Sequence, residues 1–245
     1  MDILEDVRHR PWPLPEEPWI LKQAWNDLLF AHWPIARDRL RELVPSFLEI
    51  DLFGEEAWLS ITPFKLTDLS PRGIPAMPVI SSFDEINVRT YVVYGGIPGI
   101  YFFSLDANSA MAVGGASTLF HLPYFHADIH MECDRGRFSF RSRRTRGAEA
   151  EFDAHYSPAG SLFEPQRGTL DYFLTERYCL YTHDSASNAF RVEIHHAPWQ
   201  LQSANADVII NTMAGAAGLR LPSMAPVLHY ARRQDVVTWS AHPLR

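Results

Sequence analysis

Residues 83–92, Phe-Asp-Glu-Ile-Asn-Val-Arg-Thr-Tyr-Val, alternate between two sets of side chains. Because successive side chains of a β strand point to opposite faces, the pattern predicts a strand whose two faces differ in polarity. One face carries Glu85, Asn87, Arg89 and Tyr91, and the other carries Ile86, Val88, Thr90 and Val92.

Two interpretations of this strand remain open from the alternation alone. In the first, the strand is half-buried and its polar face lies in water. In the second, the strand belongs to a β barrel and its polar face lines a small-molecule pocket. In such a pocket Arg89 would bind a carboxylate through paired hydrogen bonds, and Glu85 would transfer protons with a pKa raised by loss of solvation.

Short runs rich in β-branched and aromatic residues recur on both sides of this strand, between Gly and Pro clusters, and predict further strands. They are residues 47–52, 56–64, 100–105, 128–133, 137–143, 149–156, 169–181, 190–196 and 236–240. Three segments favour helices, namely residues 34–45, 108–120 and 205–217. We therefore expect a mainly β (α+β) fold, built from antiparallel sheets with a few helices.

The N-terminal segment differs from the rest of the chain. Residues 11–18, Pro-Trp-Pro-Leu-Pro-Glu-Glu-Pro, must be extended, because each proline fixes its own φ and disfavours helix at the residue before it. We expect residues 1–18 to form an extended N-terminal arm. Residues 19–245 contain no period repeat, low-complexity tract or convincing linker, and we expect them to form a single domain.

Composition limits the class of protein. The chain has 245 residues, of which 47% are hydrophobic and 21% are charged, with a formal net charge of −7. These values are ordinary for a globular protein and exclude wholesale disorder, and the negative charge argues against general nucleic-acid binding. The first residues lack a signal-peptide pattern, and the longest charge-free stretch, residues 107–127, is too polar for a membrane helix. We expect a cytoplasmic protein without nucleic-acid or membrane partners.

Six arginines lie between residues 135 and 146, and acidic residues alternate with apolar ones directly afterwards. A hairpin that turns near Arg146-Gly147 would place these arginines opposite the acids as cross-strand ion pairs. No aromatic side chains alternate with the basic residues in a way that suggests base stacking. A solvated, charge-paired hairpin is therefore favoured over a nucleic-acid site.

A second polar strand carries His126, Asp128, His130 and Glu132 on one face. Histidine and carboxylate side chains are ligands for zinc or iron, so His126, Asp128 and His130 form a weak candidate metal site. The alternation is also what any exposed strand face shows, and we expect no metal there.

Familiar cofactor and nucleophile motifs are absent from the sequence. It contains no Gly-x-Ser-x-Gly, no phosphate-binding loop ending in Gly-Lys-Ser/Thr and no Gly-x-Gly-x-x-Gly. We therefore expect no cofactor. A Schiff-base mechanism has only two candidate lysines, Lys22 and Lys65.

Several motifs spread over roughly residues 25–240 occur together in this chain. They are His32-Trp33-Pro34, Ile61-Thr62-Pro63-Phe64, Glu85-x-Asn87-Val88-Arg89-Thr90-Tyr91, Tyr101-Phe102-Phe103-Ser104-Leu105-Asp106, Leu174-Thr175-Glu176-Arg177-Tyr178 and Pro198-Trp199. By this set the chain resembles the acetoacetate decarboxylase-like superfamily. Within it, the chain is identified as a member of the YqjF-like uncharacterised family, domain-of-unknown-function family 2071.

The resemblance implies an antiparallel cone-shaped β barrel of the acetoacetate decarboxylase-like type, with a few peripheral helices around a small pocket. Decarboxylases of the superfamily bind small oxo acids, and Glu85 matches their pocket glutamate. Their nucleophile is a lysine directly after a proline, and here Tyr124 follows Pro123 at the equivalent position. A phenol cannot form an imine, so decarboxylation through a Schiff base is not implied for this chain.

The resemblance also implies site residues. If Glu85 faces the lumen, then Asn87 and Arg89 share that face and Tyr91 lies near the rim. Glu176 and Arg177 would come from opposite faces of another strand, and each would either bind the ligand or form a structural ion pair that braces the barrel.

Three functions follow as expectations. The first is an enzyme that acts on a small carboxylic or oxo acid by hydration, isomerisation or hydrolysis. In it Glu85 is the acid–base group, Tyr124 is a proton donor or hydrogen-bond anchor, and Arg89 binds the carboxylate. The second is a non-catalytic small-ligand binder or sensor. A third is a structural module that forms a homo-oligomer through Trp12, Trp19 and the proline-rich arm.

Overall fold

A computed structural model of the chain describes residues 3–76 and 81–244. The strands are β1 (Leu21–Ile35), β2 (Glu49–Ile50), β3 (Ala57–Pro71), β4 (Phe83–Tyr94), β5 (Ile97–Ala107), β6 (Tyr124–Asp134), β7 (Arg137–Arg144), β8 (Glu151–Phe163), β9 (Cys179–His183), β10 (Ala189–His196), β11 (Leu201–Asn211) and β12 (Val227–Pro243). The helices are α1 (Arg37–Arg41), α2 (Ala110–Phe120), α3 (Leu170–Thr175) and α4 (Met213–Ala216).

The strands form a sheet that closes on itself twice. One closed circuit runs β12-β1-β3-β4-β5-β9-β10 and returns to β12 through the pairing of β10 with β12. The other shares β12, β1, β3, β4 and β5, and continues through β6, β7, β8 and β11. The strands common to both circuits therefore have an interior on each side.

This arrangement explains the alternation in β4. Ile86 and Val88 contribute to the largest apolar core, together with Ile129, Phe140 and Phe152 of the second circuit. The opposite face of β4 looks into the first circuit. The two faces of residues 83–92 differ in polarity because each face is buried in a different interior.

The mainly β prediction is confirmed, and most strand pairs are antiparallel. Two pairings are parallel, namely β5 with β6 and β5 with β9. The predicted hairpin of β7 and β8 is also present, with Arg141 opposite Asp153 and Arg143 opposite Glu151. Their side chains form exposed ion pairs, with nitrogen–oxygen distances of 3.3 and 3.7 Å.

Three predicted elements were wrong. The helix expected from residue 34 is strand β1 up to Ile35, followed by a helix of only five residues, α1. Most of the helix expected over residues 205–217 is strand β11, because its alanines pack inward against β8. The strand expected over residues 169–181 begins as helix α3, whose first turn is capped by the Thr169 hydroxyl accepting from the backbone N–H of Tyr172.

The N-terminal segment packs on the outside of the first circuit. The Arg10 guanidinium donates to the Glu193 carboxylate at 3.0 Å, and the Trp12 indole donates to the same carboxylate at 2.9 Å. The division into an arm (residues 1–18) and one domain (residues 19–245) stays a prediction. Residues 1, 2, 77–80 and 245 of those ranges lie outside the described residues. Within the described ranges, no helix is long and apolar enough to cross a membrane.

Candidate functional site

A cavity of about 510 Å³ lies inside the first circuit. Its wall is mostly apolar and comes mainly from β1, β3, β4, β5, β9, β10, β12, helix α2 and the first residue of β6. A cavity of this size falls in the range of small-molecule sites, which combine an apolar wall with a few polar groups. The polar side chains of β4 that line it are Glu85, Asn87 and Arg89.

Glu85 and Tyr124 form a hydrogen-bonded pair in the wall of this cavity. The Tyr124 hydroxyl donates to Oε2 of Glu85 at 2.9 Å. The two side chains meet because β5 joins β4 on one edge and β6, which begins at Tyr124, on the other. Where the superfamily resemblance implies an imine-forming lysine, this chain has a phenol that faces the cavity and contacts its glutamate.

Burial gives Glu85 an unusual proton affinity. It raises the pKa of the carboxyl from 4.5 to about 7, although hydrogen bonds from Tyr124 and Asn87 act in the opposite direction. The nearby negative charge of Asp106 raises it further. The pKa of Tyr124 is raised well above its usual value by burial and by the Glu85 charge, so the phenol stays protonated. Glu85 therefore exchanges protons near neutral pH beside a fixed hydrogen-bond donor.

Arg89 is a buried cation in the same wall. Only 7% of the residue is exposed, and its Nε has no hydrogen-bond partner among the described residues. Within residues 3–76 and 81–244, no carboxylate forms an ion pair with it, and its guanidinium carbon lies 5.3 Å from the centre of the Phe30 ring. Burial lowers the pKa of Arg89. A buried guanidinium without a counter-ion is costly, and an anionic ligand would relieve that cost.

Asn87 lies between these groups on β4 and leaves its Oδ1 without a partner among the described residues. Thr62 stands opposite Asn87 on β3 and also lines the cavity. The polar face predicted from the sequence therefore contributes glutamate, amide and guanidinium groups to one enclosed space, supplemented by a threonine from the neighbouring strand.

A buried ion pair supports the Glu85 end of the cavity from behind. Asp106 accepts two hydrogen bonds from Arg144, at 2.6 Å from Nε and 2.8 Å from Nη2. The side chains are 0% and 3% exposed, respectively. The prediction that all six arginines of residues 135–146 are solvated is wrong for Arg144. Arg144 turns inward because it neutralises Asp106 in the core.

Three of the candidate ligand-binding residues do not line the cavity. Tyr91 is buried, and its hydroxyl donates to the Leu174 carbonyl at 2.9 Å and lies 3.0 Å from Nδ1 of His32. Glu176 and Arg177 follow helix α3 rather than lying on a strand. Glu176 accepts from the Trp199 backbone N–H at 2.8 Å.

Arg177 forms the ion pair that one of the two interpretations anticipated. Its Nη1 lies 2.6 Å from Oδ2 of Asp51, and its Nε donates to the Phe173 carbonyl at 2.8 Å. These contacts tie the end of α3 to the segment after β2. In the structure Arg177 thus acts as a brace and does not reach the cavity.

The candidate metal ligands lie elsewhere. Asp128 and His130 are exposed on the outer face of β6, and His126 is half-buried with its Nδ1 3.1 Å from the Thr145 hydroxyl. Within the described residues, no three His, Cys, Asp or Glu side chains are grouped closely enough to hold a metal ion.

Sequence reasoning missed most of the cavity wall. Its aromatic and aliphatic members come from segments that are distant in sequence, and they include Trp25, Phe30, Phe64, Phe83, Phe102 and Leu122. Apolar residues at these positions look the same whether they face a packed core or a cavity. The pairing of Asp106 with Arg144 had no sequence signal either, since 38 residues separate the two.

A family model and a relative in Bacillus subtilis both match most of this chain. The model of family DUF2071, described as "Uncharacterized conserved protein", matches residues 22–235. The chain is 49% identical over 243 residues to "Uncharacterized protein YqjF" of Bacillus subtilis (strain 168), covering 99% of each chain.

Solved structures of low sequence identity share the fold. Acetoacetate decarboxylase from Legionella pneumophila has a TM-score of 0.65 at 11% identity, covering 97% of this chain and 93% of that one. The enduracididine biosynthesis enzyme MppR, complexed with pyruvate, has a TM-score of 0.62 at 13% identity, covering 96% and 93% of the two chains. These similarities confirm the acetoacetate decarboxylase-like fold that the resemblance implied.

Proposed function

The chain belongs to the DUF2071 family, and we propose that its cavity binds a carboxylic or oxo acid and that Glu85 and Tyr124 perform acid–base chemistry on it. The observation that carries the proposal is the Tyr124–Glu85 hydrogen bond of 2.9 Å, in a cavity that also contains Arg89 without an acidic partner among the described residues. Those groups supply an anion-binding cation and a proton-transfer pair in one enclosed space.

Binding relies on Arg89. A carboxylate at its guanidinium would receive charge-assisted hydrogen bonds and would neutralise a buried charge. The structural neighbour MppR gives independent support, because its solved complex contains pyruvate, an oxo acid. The Oδ1 of Asn87, which has no partner among the residues that the structure describes, adds an acceptor for a hydroxyl or protonated group of the same ligand.

Proton transfer relies on Glu85. With a pKa of about 7, both its protonated and its ionised forms are populated at neutral pH, which suits a group that gives and takes a proton in one cycle. Tyr124, which stays protonated, donates a hydrogen bond and holds the carboxyl in place. Hydration, isomerisation and hydrolysis each need this pair of roles.

The chemistry proceeds without an imine in this proposal. Lys22 and Lys65 are both exposed, and neither lines the cavity. Tyr124 cannot replace a lysine amine as a nucleophile toward a carbonyl carbon in that reaction. Non-covalent acid–base catalysis is the chemistry that the remaining groups can perform.

The binding step is tested by thermal shift with a panel of small carboxylates and oxo acids. A ligand at 100 times its dissociation constant adds about 2.7 kcal/mol of stability, which is about 5–10 °C for a domain of this size. We expect the shift to be lost in Arg89→Gln and retained in Arg143→Gln, a control in which an exposed arginine is changed. A shift that persists in Arg89→Gln would contradict the assigned role of Arg89.

The catalytic step is tested by mass spectrometry of each stabilising acid after incubation with the protein. We expect conversion by the wild type and none by Glu85→Gln, which keeps the shape of the side chain but cannot carry the proton. Conversion at an unchanged rate by Glu85→Gln would remove Glu85 from the mechanism.

A second candidate is a non-catalytic binder or sensor for the same acids. The observation that favours it is the presence of a phenol, Tyr124, where the superfamily resemblance implies a lysine. Arg89-dependent binding without conversion of any acid in the panel would support this candidate and contradict the enzyme.

A further inference from the structure

We infer that the ligand of this cavity is an extended acid, with a carboxylate at Arg89 and an apolar tail that runs past Glu85 toward helix α2. This inference rests on the proposed function and specifies its ligand class. It separates the protein from a site built for an acid of the size of pyruvate.

The first argument is the volume and lining of the cavity. A cavity of about 510 Å³ is as large as the sites that take drug-sized ligands. Aromatic side chains of four strands line it, including Trp25, Phe64, Phe83 and Phe102. An acid of a few atoms would leave this apolar wall uncovered, whereas a hydrocarbon tail would gain free energy from contacting it.

The second argument is the separation of the polar groups. Glu85 and Arg89 are four residues apart on β4, so their Cα atoms are about 13 Å apart at 3.3 Å per residue. An acid held at Arg89 must therefore extend along the strand before another of its atoms reaches Glu85.

The third argument is the position of the opening. Ile74 and Leu119 line the cavity and are also 56% and 48% exposed, so they mark its rim. Ile74 precedes β4, and Leu119 lies at the end of α2, shortly before Tyr124. The rim thus lies at the Glu85–Tyr124 end of β4, and Arg89 lies at the deep end. The tail of a ligand anchored at Arg89 would point to this apolar rim.

The test is a calorimetric titration of the full-length protein with a straight-chain series, from acetate through butyrate, hexanoate and octanoate to decanoate. Burial of each added methylene should tighten binding about fourfold until the cavity is filled. The matched alcohol, octanol, should bind at least about tenfold more weakly than octanoate, because it lacks the charge-assisted hydrogen bonds to Arg89. The affinity of Arg89→Gln for octanoate should fall to the affinity of the wild type for octanol.

Helix α2 provides a matched pair of variants for the path of the tail. Gly115 lines the cavity and Gly114 does not, and a Cβ at either position meets no atom of the described side chains within 4 Å. Gly115→Phe should shift the best-bound acid to a shorter chain length, and Gly114→Phe should leave the series unchanged. An unchanged series in both variants would overturn the path past α2.

The outcomes separate this inference from the proposed function. Arg89-dependent binding in which pyruvate or acetate equals octanoate would overturn the extended ligand and leave the acid-binding cavity intact. A series in which no acid of any length binds in an Arg89-dependent way would overturn both. An affinity that rises with chain length and depends on Arg89 supports both.

Discussion

Replacing Glu85 with glutamine should change how the stability of the protein depends on pH. The native pKa of about 7 lies about 2.5 above the ordinary 4.5, which corresponds to about 3–4 kcal/mol at roughly 1.4 kcal/mol for each pKa unit. The native state therefore keeps the Glu85 proton where the unfolded chain has released it. Between pH 4.5 and pH 7, the free energy of unfolding falls as pH rises, and above about pH 7 the loss is complete.

Glutamine cannot ionise, so Glu85→Gln removes this loss. Below pH 4.5 the free energies of unfolding of the variant and the wild type should differ only by a constant offset. Above pH 7 the variant should be more stable than that offset gives by up to about 3–4 kcal/mol. Denaturant unfolding of both proteins at a series of pH values from 5 to 9 measures the difference. The exposed Glu55→Gln, in the turn before β3, controls for the general effect of removing one negative charge. A difference between Glu85→Gln and wild type that does not change with pH would refute the raised pKa of Glu85.

Three further changes have defined outcomes. Tyr124→Phe removes a hydrogen bond that lowers the pKa of Glu85. The midpoint of the Glu85 titration, followed by ¹³C NMR of the carboxyl carbon, should therefore rise above about pH 7, and a midpoint at or below that of the wild type would contradict this. Arg144→Gln breaks the buried pair with Asp106 and should lower the free energy of unfolding by about 3–5 kcal/mol in denaturant titrations, and a loss below about 1 kcal/mol would contradict a structural role. Gly99→Ala places a Cβ only 2.7 Å from a neighbouring ring carbon and should cost about 1–3 kcal/mol by the same measurement; an unchanged stability would show that the contact relaxes freely.

The sequence was sufficient for the strands that alternate cleanly. Residues 83–92 and the β7–β8 hairpin, with its Arg141–Asp153 and Arg143–Glu151 pairs, follow from period-two patterning and charge complementarity. The motif resemblance added the fold type, which the structural neighbours confirm. Where the local helix preference of a segment disagreed with its pairing to another strand, the pairing determined the structure. The alanines of β11 favour a helix in isolation, but their pairing with β8 makes them a strand.

The site itself was only partly accessible from the sequence. Glu85, Asn87 and Arg89 could be grouped because one strand carries all three, and Tyr124 was added through the resemblance; the structure places all four at one cavity. Whether their face lies in water or in a cavity depends on the pairing of β10 with β12, which closes the first circuit. That contact joins residues 40 to 53 positions apart and has no local signature. Glu176 and Arg177 were misplaced for a related reason, because the aromatic run before them was taken for a strand.

The most direct test of the acid-binding cavity is a crystal structure of the protein with octanoate. We predict one carboxylate within hydrogen-bond distance of the Arg89 guanidinium, with the hydrocarbon chain passing the Glu85–Tyr124 pair and ending near Leu119. Octanoate bound with its carboxylate away from Arg89, or bound outside the first circuit, would contradict the assignment of this cavity as an acid-binding site.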